Sequence, residues 1–149
     1  MHNWQRFAAE KHGSNFINIF ESTIFQSTLR LLLQSDLPRE HIFDYALQVE
    51  QIIRVLQPLL IYFEHTDVEA ALRSICQQRK STWEQYITEV IEKSAYGKHR
   101  QLHSFEGLVH FFQEYQDLTL ALCEKYQGRK LILQDAQRDW KDSRARICD

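Results

Sequence analysis

Behind Pro58 the chain runs Leu59-Leu60-Ile61-Tyr62-Phe63 without a polar break and then turns polar at Glu64-His65-Thr66-Asp67. An uninterrupted apolar run of this length, bounded by proline and polar residues, suits a strand covered on both faces, as in a parallel sheet. Pro58 lacks an N–H and disfavours helix at Gln57, yet the first position of a strand tolerates it. Asp67 supplies a capping carboxylate, and Glu69 suits the positive end of the helix that follows. The tract therefore predicts a parallel strand feeding a helix whose free N–H groups can face a ligand.

The rest of the chain follows the same grammar. Trp4, Phe7 and Ala8 predict a short first helix that stops at Gly13-Ser14-Asn15. The β-branched and aromatic run Asn15-Phe16-Ile17-Asn18-Ile19-Phe20-Glu21-Ser22 predicts a strand with a polar tip. Helical spacing then recurs through Phe25, Leu29 and Leu32, and, after the break at Ser35-Asp36-Leu37-Pro38, through Ile42, Tyr45, Ala46, Val49, Ile52, Ile53 and Leu56. Val68, Ala71, Leu72, Ile75 and Cys76 share one face, which predicts a helix packed on a sheet. Trp83, Tyr86, Ile87, Val90 and Ile91 mark the next helix. Phe105, Leu108, Val109, Phe112, Leu122 and Cys123 mark a long one closed by Gly128, with a loop at Ser94-Ala95-Tyr96-Gly97-Lys98 before it. Lys130–Gln134 reads as a short strand and the stretch from Trp140 to Ile147 as a terminal helix.

Strands separated by helices imply right-handed crossovers, so the expected fold is α/β and helix-rich: about three short parallel strands with flanking helices, in one domain over residues 1–149. Ligands of such sheets bind at the carboxyl ends of the strands, which singles out Glu21-Ser22, Glu64 to Asp67, and Gln134-Asp135. A formal net charge of −2 disfavours broad nucleic-acid or anionic-membrane binding, because both need a cationic surface that displaces counterions. Cys76, Cys123 and Cys148 are odd in number and lack a Cys-x-x-Cys pair, so they read as reduced thiols of a cytoplasmic protein, and no apolar run is long enough to cross a bilayer. His99, His103, Glu106 and His110 have helical spacings that could bring metal-ligating groups to one face, but a histidine on a solvated helix usually binds nothing, and no metal site is expected.

The order and spacing of several pieces resemble the P-loop kinase-like proteins related to nucleoside and nucleotide kinases. These pieces are Ile19-Phe20-Glu21-Ser22 with Phe25-Gln26; Pro58-Leu59-Leu60-Ile61-Tyr62 ending in Thr66-Asp67; Arg73 and Arg79 followed by Trp83; Tyr96-Gly97; and Asp139-Trp140. The resemblance spans nearly the whole chain. In that family a Gly-rich loop ending in Gly-Lys-Ser/Thr cradles the nucleotide phosphates, and it lies upstream of the part matched. This chain holds no such loop, and Gly13, Gly97, Gly107 and Gly128 are too scattered to build one. The resemblance thus implies the C-terminal portion of a three-layer P-loop-type fold.

It also implies roles. Glu21 would be a water-mediated Mg²⁺ ligand or the base for an acceptor hydroxyl, and, without the phosphate loop, a helix-capping carboxylate in this chain. Ser22, Phe25 and Gln26 would form the pocket of a small-molecule acceptor. Arg73 and Arg79 flank a segment similar to a kinase lid, where arginines neutralise charge on the transferred phosphoryl group; the alternative for each is a solvated helix face. Gln134 and Asp135 would contact the nucleotide base or stand as solvated turn residues. The intact family uses ATP and Mg²⁺, and neither is expected to bind tightly here. Because the family's phosphate-loop strand sits between the first two strands, its absence is expected to leave open backbone edges, marginal stability and homo-oligomer formation. The chain reads as a remnant or fragment of a phosphotransferase, inactive alone, or alternatively as a non-enzymatic interaction module or self-associating pseudoenzyme.

Overall fold

The computed structural model describes residues 1–79, 81–136 and 140–148, with the side chains of Ser81, Asp142 and Cys148 also outside the description. Its helices are α1 (His2–Lys11), α2 (Arg30–Gln34), α3 (Arg39–Ile53), α4 (Val68–Gln78), α5 (Ser81–Lys93), α6 (Ala95–Arg100), α7 (Ser104–Lys125) and α8 (Trp140–Cys148). A π-helical segment, Thr23–Leu29, leads into α2, and a single 3-10 turn, Arg54–Leu56, ends α3. The strands are β1 (Leu59–Glu64) and β2 (Arg129–Gln134), paired in parallel with Leu59 opposite Arg129 and Glu64 opposite Gln134. The architecture is helix-rich α/β. None of the described helices is long and apolar enough to cross a membrane.

Two of the three runs that sequence assigns to a parallel sheet, those of β1 and β2, form it, and they neighbour each other directly. Gln57 takes a left-handed φ of 51° before Pro58, so the reversal out of the 3-10 turn is made immediately ahead of the strand. Asp67 caps α4, its Oδ1 accepting the Ala70 N–H at 2.9 Å. That helix packs mainly against α5 and α7 rather than on the sheet. Long α7 is the spine of the core: Leu108, Phe111, Leu118 and Leu122 are buried with Leu29, Ile42, Leu72 and Ile91 from the surrounding helices.

The expected strand over Asn15–Ser22 does not form, and the sheet has two strands among the described residues, not three. A strand gains its hydrogen bonds only from a neighbour, and no backbone group of Phe16–Phe20 has a backbone partner among the described residues. Instead Phe20 packs on the aromatic face of α1, 5.1 Å from Phe7 and 5.8 Å from Trp4 between ring centroids. Ser22 then turns left-handed, with φ 59°, into the π-helical segment.

The expected loop at Ser94–Lys98 is also different: it is the start of α6. Ser94 is the cap, its Oγ accepting the Gly97 N–H at 2.9 Å and donating to the Ile91 carbonyl at 2.6 Å. Gly97 provides close approach rather than flexibility. Nor does Gly128 end the long helix. Lys130 does so, donating from Nζ to the carbonyls of Cys123 at 2.6 Å and Tyr126 at 3.1 Å. Buried Glu50 holds the chain beyond, accepting the N–H groups of Gln127 and Gly128.

At the other end of the bundle, Asp36 joins the α2–α3 connection to α6, accepting from Arg100 at 2.5 Å and from His99 Nδ1 at 2.7 Å. The Arg100 hydrogen bond, opposed by partial desolvation and aided by His99, holds the Asp36 carboxyl below its usual range. A carboxyl with a depressed folded pKa contributes stability that is present above its unfolded value, near pH 3.9, and disappears as pH falls through the folded value. Asp36→Asn keeps a residue that tolerates the left-handed φ of 56° while removing the charge. In urea denaturation the wild type should exceed this variant modestly near pH 6. The difference should begin to shrink as pH falls below the unfolded value and vanish below the folded one; a gap that is constant from pH 6 down through the acid range would exclude the ionised carboxylate as its source.

Candidate functional site at the strand tips

The parallel pairing of β1 and β2 puts Glu64, His65 and Thr66 beside Gln134 and Asp135. Two side-chain links join the tips. Gln134 Nε2 donates to Glu64 Oε2 at 3.0 Å, and Asp135 accepts the Thr66 N–H at 3.0 Å and the Thr66 hydroxyl at 2.5 Å. The Asp135 N–H closes the pairing on the Glu64 carbonyl at 2.8 Å.

Helix α7 connects this rim to the segment after Ser22. The Gln116 side chain takes both backbone groups of His65, accepting its N–H at 3.1 Å and donating to its carbonyl at 2.8 Å. The adjacent Tyr115 hydroxyl donates to the Phe25 carbonyl at 2.5 Å. One turn on, Thr119 Oγ1 meets the Tyr62 hydroxyl at 2.6 Å, and the Phe25 and Tyr62 rings lie 6.1 Å apart. Burial pushes the Tyr62 phenol up to about 12, the Thr119 contact opposing the shift, so this hydroxyl stays protonated and serves as a hydrogen-bonding group. Tyr115, Gln116 and Thr119, within little more than one turn of α7, therefore hold Phe25, β1 and the tip of β1 in fixed relation.

Among the sequence-selected residues, Ser22 and Gln26 bond each other, Ser22 Oγ donating to Gln26 Oε1 at 2.6 Å, and exposed Glu21 precedes them. Phe25 sits at the junction with β1. Gln134 and Asp135 are at the rim but engaged with Glu64 and Thr66. Arg73 and Arg79 are elsewhere. Arg73 donates through Nε and Nη2 to Glu69 at 3.0 and 2.7 Å and stacks 4.5 Å from the Phe105 ring centroid. Phe105 precedes Tyr115 by ten residues of α7, roughly 15 Å along its axis. Arg79 stacks 4.7 Å over Trp83. The neighbouring Lys80 of the expected lid and Asp139 of the family-like pieces lie outside the described residues. His99 bonds Asp36, and no cluster of three His, Cys, Asp or Glu side chains able to hold a metal occurs among the described residues.

Phe63, Glu64, His65, Ala136 and Trp140 line a recess of about 230 Å³ beside the rim. Ligand pockets span roughly 300 to 1,000 Å³, so this hollow could admit a small polar group but not a nucleotide. The chemistry of the rim, among the described residues, consists of the carboxylates of Glu64 and Asp135, the amide of Gln134 and the imidazole of His65.

Tyr115, Gln116 and Thr119 organise the rim, and the periodicity of α7 alone does not reveal their partners. Thr119 does leave a local signal, being a polar residue between Leu118 and Leu120, whereas Gln116 stands among Gln113, Glu114 and Asp117 and leaves none. Comparison of the chain with protein-family models, with curated proteins and with solved structures returns no match.

Proposed function

We propose that this chain is the acceptor-side portion of a phosphotransferase of the P-loop kinase-like type, a remnant or fragment that does not bind nucleotide alone and that requires a phosphate loop from outside these 149 residues. What supports the reading is the convergence, through Tyr115 and Gln116, of Phe25 and the polar tip of β1. In an α/β protein the carboxyl ends of parallel strands are the usual ligand edge, and here they lie next to an aromatic and a polar side chain. Phe25 and Gln26 would contact the small-molecule acceptor with Ser22, and Glu21 would receive the proton of its hydroxyl. Arg73 would have to leave Glu69 before it could serve a phosphoryl group.

The DNA upstream of Met1, read in the same frame, provides the test together with calorimetry. A strand followed by Gly-x-x-x-x-Gly-Lys-Ser/Thr should precede the present sequence, and the extended protein should bind ATP·Mg²⁺ saturably while the 149-residue chain does not. Micromolar ATP binding by the 149-residue chain, or an extended protein that binds none, overturns the reading.

A further inference from the structure

Two strand-forming surfaces of this chain have no strand partner among the described residues. The first is the outer edge of β1. Because the Asp135 N–H donates to the Glu64 carbonyl, the even-numbered residues of β1 face β2, and the backbone groups of Leu59, Ile61 and Phe63 face the other way. His65 continues that outward row and is satisfied by Gln116, but no hydrogen bond reaches the backbone of Leu59, Ile61 or Phe63 among the described residues. The far edge of β2 is treated differently: Arg146 of α8 donates to its outward Ile132 carbonyl at 3.3 Å. The open edge is also apolar, with Leu59 and Phe63 each more than two-fifths exposed.

The second segment is the tract that sequence assigns to a strand. Phe16, Ile17 and Ile19 are 81, 92 and 89% exposed, and the backbone of Phe16–Phe20 has no partner among the described residues. Apolar side chains on both faces of such a tract are the pattern of a covered strand, and uncharged stretches of this kind without proline pair readily. Its five residues match the five from Leu59 to Phe63.

We propose that the β1 edge of one copy receives the Phe16–Phe20 tract of a second copy, and the reverse, in a strand-exchanged two-fold dimer. Within one copy the tract is not on the edge: Phe20 is held between Trp4 and Phe7, and no backbone bond links the two segments. A second copy supplies the same tract without disturbing that anchor. Neither segment carries a charge, and a net charge of −2 offers little repulsion between copies. Reciprocal exchange pairs both unpaired segments of both chains and closes, which strand addition in one direction would not. The inference does not depend on the phosphotransferase reading.

Sedimentation and amide exchange of the full chain over a range of concentrations provide the test. A monomer–dimer equilibrium is expected, with exchange at Phe16–Phe20, Ile61 and Phe63 slowing as the dimer fills. The double variant Ile17→Lys/Ile19→Lys changes two exposed side chains, so its helical circular dichroism should be unchanged while the dimer and the concentration-dependent protection are lost. Four outcomes overturn the proposal: a monomer at every concentration; protected Ile61 and Phe63 amides in a monomer, which would place the copy's own tract on the edge; open-ended aggregates; or a dimer that survives both lysines.

Discussion

Gly97→Ala should destabilise the protein by about 3 kcal/mol, although alanine is the better helix former by about 1 kcal/mol. Gly97 occupies the first turn of α6, where the chain turns back against the end of α5. A β-carbon there would sit 2.0 Å from the Ile91 carbonyl oxygen and 2.9 Å from its carbon. Neither atom belongs to a flexible side chain, and the same carbonyl accepts Ser94 Oγ, so relief requires opening the α5–α6 junction. That junction carries Tyr96, buried with its ring 5.4 Å from that of Phe111 at the centre of the core. For a chain of this size the loss corresponds to a fall in Tm of roughly 6 to 12 °C. The sign is diagnostic. Were Ser94–Lys98 a loop, alanine would be neutral or would stabilise by restricting the unfolded chain; an unchanged or higher Tm would therefore exclude the close approach.

Gly97 also illustrates where sequence reasoning lost its hold. A glycine between polar residues has the same local appearance whether it frees a loop or admits a neighbouring backbone, and only the position of Ile91 decides. The strands β1 and β2 were legible because their apolar runs are short and bounded by Pro58 and by polar residues, although neither strand is covered on both faces, and Asp67 was legible because a cap acts within its own turn. Helices α3, α5 and α7 were likewise written in their apolar periods. The tract at Phe16–Phe20 has the composition of a strand, but composition expresses a preference that only a pairing partner can satisfy. At the candidate site the tips of β1 and β2 followed from topology, since parallel strands carry their ligand edge together. The bonds from Tyr115 and Gln116 did not, because they join positions 90 and 51 residues apart. Arg73 and Arg79 carry the charge that suits phosphate, but Glu69, Phe105 and Trp83 engage them first.

Glu50→Ala should cost about 2 to 4 kcal/mol, and the cause is a pair of backbone groups rather than an ion pair. Glu50 lies on α3 at 3% exposure, and one oxygen accepts the N–H groups of Gln127 at 2.9 Å and Gly128 at 3.0 Å. These two residues form the connection from α7 to β2, so the carboxylate sets where the strand begins. Alanine leaves both donors without a partner in a part-buried site, at about 1 to 3 kcal/mol each before relaxation. Arg54 also reaches this oxygen, at 3.3 Å, but more than half of its side chain is exposed, and an ion pair with such a partner contributes less than about 1 kcal/mol. Urea denaturation should therefore rank Arg54→Ala close to the wild type, Glu50→Gln between, because the amide oxygen can still accept, and Glu50→Ala lowest. Lys130→Met should couple to Glu50→Ala, since Lys130 holds the last carbonyls of α7 on the other side of the same connection. Equal losses for Arg54→Ala and Glu50→Ala would assign the stabilisation to the ion pair. Losses for Lys130→Met and Glu50→Ala that simply add would mean that the helix end and the start of β2 are anchored independently.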